Sequence, residues 1–468
     1  MPAYRPSQAH AALGSDFFDP VTAADFSKTV LRFRNQRWAE RVGLDRLSEA
    51  EWISHFGRFA PLPGSFEQPL ALRYHGHQFQ TYNPFLGDGR GFLFAQLHDL
   101  EDNRLLDLGT KGSGRTPWSR AADGRLTLKG GVREILATEM LEALGVNTSK
   151  SFSLIETGEE LQRGDEPSPT RSSVLVRLSH SHLRIGTFQR LAYLKDTQNL
   201  EKLLRYAVTT YMPDLAREDL GDMAAAFLGQ VARNVARTGA QWTAAGFVHG
   251  VLNTDNINIT GESFDYGPWR FLPHYDPAFT AAYFDETGLY AFGRQPDVLA
   301  WNLTRLAECL VPLCDIERLE PALNAFWPAF QREMGLAITR RLGLGSLGAE
   351  TDGAFLADLY AFLNASRMPY EQFFFDWHGA NPDRASASPA ADAYQHDTFA
   401  PVRAALSAYR PSPTAKLSHP YFARKTPRTM LIDEVEAIWA PIAEADDWSL
   451  FENTLAEIGD MRLAYGSP

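Results

Sequence analysis

Cysteine is almost missing from this chain: 468 residues hold two, Cys309 and Cys314. That excludes a disulfide framework and points to a reducing compartment. Five apart in a helical pattern interrupted by Pro312, the two read as buried apolar residues rather than a redox pair. Positive charge is short as well. Asp and Glu number 57 against 45 Lys and Arg, a formal net charge of −12. A nucleic-acid partner would want a basic face, so it is excluded, whereas a nucleotide needs only a few local cations. No run reaches the roughly 18 consecutive apolar residues of a membrane span. The opening MPAYRPSQAHAALGSDFFDP lacks the basic region and apolar run of a secretory signal. A soluble cytoplasmic protein without a membrane partner is expected, and a monomer, because no hydrophobic stripe argues for assembly. Also absent are a nucleophile elbow, a Walker A loop, a dinucleotide fingerprint and a cysteine nucleophile with a partner.

What the chain has is length and 44% hydrophobic content, enough for a large core in two lobes. Residues 1–60 read as an N-terminal extension of short apolar clusters. FLFAQL from Phe92 and RLLDLG from Arg104, joined by a turn at Glu101–Asn103, predict a β-hairpin. Val132, Ile135, Leu136, Met140 and Leu144 form the stripe of a helix near 131–144. Strands are predicted near 151–156 and 173–179. Beyond about residue 190 helices take over: Met223, Phe227, Val231 and Val235 mark a long one, and 299–341 and 432–440 have helical period. GANPDRASASPAADAYQHD, rich in Ala, Ser and Pro, is expected to be an exposed excursion. The fold class expected is α+β, a β-rich lobe over 1–190 followed by a helical lobe over 191–468.

The most informative stretch is FVHGVLNTDNINITGESFDYGPW, residues 247–269. Ile257 and Ile259 alternate with small polar residues before a turn at Gly261–Glu262, which predicts a hairpin that brings Asn256 and Asp265 to one end. An amide oxygen and a carboxylate there suit a hard cation such as Mg²⁺, which leaves its other positions to water or phosphate. The layout resembles the catalytic loop and metal-binding Asp-Phe-Gly of kinases. Where kinases read His-Arg-Asp or His-Gly-Asp, this chain reads His249-Gly250-Val251, so the usual catalytic aspartate is gone.

Other candidates surround that loop. Gly87, Gly89 and Arg90, in GDGRG, offer close backbone approach and a cationic fork for phosphate, or else a tight turn. Lys111, set among glycines at a strand end, suits nucleotide phosphates, with Glu134 in the first turn of the next helix as its partner and Glu139 on another face. Arg177 and Arg184 frame RLSHSHLR and could grip a terminal phosphate. Asp123-Gly124 serves a ribose, phosphate or base edge, or a turn. The pairs His75/His77 and His180/His182 read as hydrogen-bonding rather than zinc-binding residues.

Together, LRYHGHQFQTYNPFLGDGRG, LDLGTKGSGRTPWSRAADGR, VLVRLSHSHLRIGTF and HGVLNTDNINITGESFDYGPW resemble the selenoprotein O family. The resemblance implies a protein-kinase-like pseudokinase fold that transfers AMP from ATP, or UMP from UTP, to Ser, Thr or Tyr hydroxyls of proteins. It implies nucleotide contacts from Gly87, Gly89, Arg90, Lys111, Asp123, Gly124, Arg177 and Arg184. It implies Asn256 and Asp265 as ligands of Mg²⁺ or Mn²⁺, and Asp255 as proton acceptor. It also implies ATP turned round relative to kinases, with its γ-phosphate near the arginines. The family's C-terminal selenocysteine or cysteine has no counterpart in MRLAYGSP, so control through such a thiol is not expected. The alternatives are a kinase that transfers the γ-phosphate and an inert nucleotide-binding scaffold.

Overall fold

The computed structural model describes residues 4–164 and 166–466. Its centre is an antiparallel sheet of nine strands: β1 (Pro6–Ser7), β2 (Phe18–Pro20), β3 (Val30–Arg34), β4 (Leu70–Leu72), and, after a separate hairpin of β5 (Gly76–Gln78) and β6 (Thr81–Asn83), β7 (Leu93–His98), β8 (Leu105–Lys111), β9 (Leu126–Thr127), β10 (Lys150–Leu161) and β11 (Thr170–Ser179). The order is β2-β4-β7-β8-β11-β10-β3, with β1 beside β7 and β9 beside β11. The N-terminal residues are therefore woven into the sheet rather than laid over it. The hairpin expected from FLFAQL and RLLDLG is β7–β8, paired Leu97 to Leu106.

Both faces of the sheet are covered, and the two-residue period of the strands sorts side chains between them. Leu106, Leu108, Val174, Val176 and Leu178 join one core with Trp38 and Phe56, which lie on α1 (Gln36–Val42) and α2 (Glu49–Phe56). Leu105 and Leu175 join the other core, against α3 (Leu128–Ala143). Lys111 and Arg177 keep step with that second set, so both look towards α3. Thr127 caps α3 by accepting from Gly130 N, which fixes the start of the helix and so the position of Glu134 in its second turn.

Helices follow: α4 (Ile185–Tyr193), α5 (Thr197–Tyr211), α6 (Leu220–Ala244), α7 (Gln295–Leu310), α8 (Ile316–Leu323) and α9 (Phe326–Arg341). The stripe of Met223, Phe227, Val231 and Val235 is buried in α6. At the C-terminal end, helices Ile432–Ala445 and Ser449–Ala464 return to pack on α3. The architecture is α+β, as expected from the sequence. Among the described residues no helix is long and apolar enough to cross a membrane.

Two expectations need correction. The segment 379–397 is not an excursion: it contains helix Pro382–Ala387, and Tyr394 is buried with its hydroxyl donating to Asp376 Oδ2 at 2.6 Å. Alanine favours helix there, and one aromatic anchors it beside Trp377 and Phe399. The hairpin expected over 257–265 does not form either. Its first arm pairs outward, Ile185 N to Ile257 O at 3.0 Å and Ile259 N to Leu183 O at 3.1 Å. Its second arm pairs with 147–149, Ser263 N to Asn147 O at 2.9 Å. Backbone groups had to be satisfied, and neighbouring segments, not the opposite arm, satisfy them. The ladder that closes the loop is instead at its base, where β12 (Phe247–Val248) pairs with β13 (Arg270–Phe271).

Candidate functional site

The loop between β12 and β13 is stapled from several sides. Gln295 of α7 accepts from His249 N at 3.0 Å and donates to Phe247 O at 2.9 Å; Asn302 donates to Leu252 O at 2.9 Å. The buried imidazole of His249, held below its ordinary pKa chiefly by burial, donates from Nε2 to Phe264 O at 3.0 Å. That anchors the residue before Asp265, which itself adopts a left-handed φ of 64°. Thr254 accepts from His77 N at 2.7 Å and donates to Gln189 Oε1 at 2.6 Å. Thr254, Gln189, Gln295 and Asn302 were not singled out in the sequence. Each acts through hydrogen bonds to distant segments, which leave no periodic mark.

On this platform the predicted charges meet. Lys111 Nζ is ion-paired with Glu134 Oε1 and reaches Asp265 Oδ1 at 3.0 Å. Arg177 Nη1 reaches the same oxygen at 3.1 Å and lies 3.9 Å from Glu134 Oε2. Glu134 is therefore the helix partner of Lys111, while Glu139 points elsewhere, to Arg462 at 3.2 Å. Burial alone would raise the Asp265 carboxyl, but Lys111, Arg177, Arg90 and Arg184 outweigh it and hold it well below the usual range. Asp265 is thus a carboxylate, with Oδ1 taken by two cations and its side chain still a quarter exposed.

Arg184 closes the next side. It reaches Asp88 Oδ1 and the Asp255 carbonyl, each at 3.4 Å, and lies 4.2 Å over the ring of Tyr74 and 5.2 Å from that of Phe264. Asp88 sits inside the GDGRG motif, yet only the fold reveals it as an arginine partner. Asp255 is buried, and its Oδ1 has no hydrogen-bond partner. Burial pushes its carboxyl up to about 6, against the opposing pull of Arg184. Asn256 donates from Nδ2 to Val251 O at 3.0 Å, which commits its nitrogen and leaves its oxygen to accept. Val251 offers that carbonyl and packs, partly buried, against the main core.

The glycines of 87–91 serve close approach rather than positive φ. A Cβ on Gly87 would come within 2.4 Å of the Trp118 ring, one on Gly89 within 2.9 Å of Trp118 O, and one on Gly91 within 2.0 Å of Thr110 O. Arg90, exposed beside them, donates through no side-chain hydrogen bond among the described residues but adds its charge to the field at Asp265. Asp123 lies apart from this network: it pairs with Arg163 at 2.8 Å. Gly124 has a φ of 72° and its carbonyl accepts from Gly114 N at 3.2 Å.

The rings of the first histidine pair are hydrogen-bonded, as expected, whereas both ring nitrogens of His182 are buried with no hydrogen-bond partner among the described residues. His75 Nδ1 meets the Tyr82 hydroxyl at 2.8 Å, His77 Nδ1 meets the Gln189 amide at 2.7 Å, and His182 lies 3.4 Å from Asp107. Among the described residues no three His, Cys, Asp or Glu are grouped to hold a metal ion. Asn256 and Asp265 would supply two oxygen ligands, the number a Mg²⁺ takes from protein when phosphates complete its shell. Cys309 and Cys314 are buried free thiols.

The family model of protein adenylyltransferase SelO matches residues 3–459. A protein nucleotidyltransferase YdiU of Trichodesmium erythraeum is 44% identical over 96% of this chain and 97% of its own length. One from Gloeobacter violaceus is 45% identical, over 98% and 95%, and one from Vibrio cholerae 37%, over 78% and 73%. The chain belongs to the SelO family.

Proposed function

We propose that this chain is a protein adenylyltransferase: it transfers AMP from ATP to a Ser, Thr or Tyr hydroxyl of a protein and releases pyrophosphate. The observation that carries this reading is the network of Lys111, Glu134, Arg177 and Asp265, complete while the kinase base is replaced by Val251. Such a site activates a triphosphate without the residue that γ-transfer uses. The strand lysine, the helix glutamate and the loop aspartate after a long helix support a kinase-like arrangement, with lobes at 1–190 and 191–468 and the last two helices returning to the first.

The substrate hydroxyl oxygen attacks the α-phosphorus, the bond from that phosphorus to the bridging oxygen breaks, and pyrophosphate leaves with the electron pair. Lys111, held by Glu134, and Arg177 and Arg184 position the triphosphate, since such transfers depend mainly on placement and electrostatics. Gly87, Gly89 and Arg90 bring backbone and charge to its phosphates; Asp123 and Gly124, on the adjoining loop, serve the nucleoside end. Asp255 receives the hydroxyl proton. Burial makes it a stronger base than an exposed aspartate, which suits it to that task near neutral pH. Asn256 and Asp265 would hold Mg²⁺ or Mn²⁺, which when bound neutralises charge developing on the phosphate oxygens.

Intact-protein mass spectrometry after incubation with ATP, and separately with UTP, tests the reading through self-modification. A nucleoside monophosphate adduct is expected. A phosphoryl adduct would instead make the chain a kinase, and no adduct on itself or on lysate proteins would leave a scaffold.

A further inference from the structure

A cavity of about 790 Å³ opens between α1, α3, β10, α6 and α9, and no residue of the nucleotide network lines it. Its volume lies within the range of small-molecule sites. The charge of its lining runs against that of the whole chain. Arg41, Arg104, Lys150, Arg237 and Arg340 face it with two acids, Glu142 and Asp214, although the protein carries a formal net charge of −12; Arg41 and Arg104 are also paired with Asp99 and Asp102, at 2.5 and 3.2 Å.

One wall is the polar stripe of α6. Gln230, Asn234, Arg237 and Gln241 line the cavity and follow the helical repeat, one face of the helix as Met223, Phe227, Val231 and Val235 form another. Among the described residues Arg237 makes no ion pair or hydrogen bond, so its guanidinium is available. Arg340 of α9 stands close by and donates to Gly145 O at 3.3 Å. From the sheet side, Lys150 is held against Glu142 at 3.3 Å, so that acid is already matched. Gln230 Nε2 is committed to Asn234 Oδ1 at 2.9 Å, which leaves the Asn234 amide nitrogen, the Arg237 guanidinium and the nearby Arg340 as donors for the oxygens of a phosphoryl group.

We infer that this cavity binds a small phosphate-bearing anion, at a site separate from the nucleotide site. Its walls are continuous with the catalytic elements. Glu142 lies on α3 two turns beyond Glu134, His180 follows Arg177 by three residues, and Thr260 lies in the loop between Asn256 and Asp265. An occupant therefore contacts the three elements that carry the nucleotide network.

Calorimetric titration with tripolyphosphate, in metal-free buffer, tests the inference on wild type, Arg237→Glu and Arg332→Glu. The last makes the same charge change at an exposed position paired with Glu333. Arg237→Glu should lose one equivalent of bound anion, or bind it at least tenfold more weakly, while Arg332→Glu matches wild type. Arg237→Gln, without the added negative charge, should weaken the same event. ATP titrated in parallel separates the sources: equal affinity at the Arg237-sensitive site means that phosphate alone is read, and tighter binding means that a nucleoside is read too. Identical isotherms for Arg237→Glu and Arg332→Glu, or no Arg237-sensitive event, would overturn the inference. Because the readout does not use catalysis, it stands or falls apart from the adenylyltransferase reading.

Discussion

Lys111 and Asp265 meet at 3.0 Å, Nζ to Oδ1, across 154 residues of chain. One comes from the end of a central strand and the other from a loop residue in left-handed conformation. The contact joins sheet to loop, and each partner keeps a further opposite charge, Glu134 for the lysine and Arg177 for the aspartate. Asp265→Ala removes the carboxylate and leaves two cations facing each other. Transfer should fall on the order of a thousandfold or more, read as incorporation of labelled AMP at saturating ATP. Near-normal rate in that variant would remove Asp265 from the reaction.

Glu134 is 1% exposed, so its pair with Lys111 is shielded from solvent. Glu134→Gln leaves the ammonium to Asp265 alone and should draw it out of position. We expect a higher KM for ATP and a loss of roughly 3 kcal/mol in stability, the usual scale for breaking a buried pair from one side. Denaturant midpoints and initial rates check the two effects separately.

Asp255 couples activity to pH. Burial pushes its carboxyl up to about 6, so in the proposed role of proton acceptor it is lost when pH falls through that value, and the rate should drop below it. The stability effect has the opposite sense. A carboxyl raised from 3.8 in the folded state favours folding most below 3.8, and that contribution is lost as pH rises to about 6. Asp255→Asn should therefore reduce transfer on the order of a hundredfold, yet melt no lower than wild type at pH 7. Its advantage should shrink at pH 4. A pH-independent rate in wild type between 5 and 8 would exclude Asp255 as the base.

Two glycines near the site should respond differently. A Cβ at Gly91 would press within 2.0 Å of Thr110 O, whereas one at Gly267 meets nothing within 4 Å. Gly91→Ala should cost about 3 kcal/mol or more by displacing the 87–91 loop from β8. Gly267→Ala should stay within about 0.5 kcal/mol of wild type. Thermal melts of the two variants side by side decide it.

Much of this was legible from residue order because local rules dominated. The apolar stripes of α3 and α6 and the β7–β8 hairpin follow from side-chain period, and Glu134 was singled out as partner of Lys111 because it lies nearer the start of the following helix than Glu139. The loop 247–269 was legible in its chemistry but not in its shape. Alternating Ile257 and Ile259 have the pattern of a hairpin, yet their hydrogen bonds go to 183–185, a pairing that no local pattern encodes. Asp88, Gln295 and Asn302 were illegible for the same reason, since their partners lie 16 to 96 residues away.

The most direct measurement pairs ATP labelled at the α-position with ATP labelled at the γ-position, each given to wild type and to Asp265→Ala with Mg²⁺ or Mn²⁺. Protein-bound label should arise from the α-position alone, and only in wild type. Label retained from the γ-position, or equal α-label in both proteins, would contradict the account.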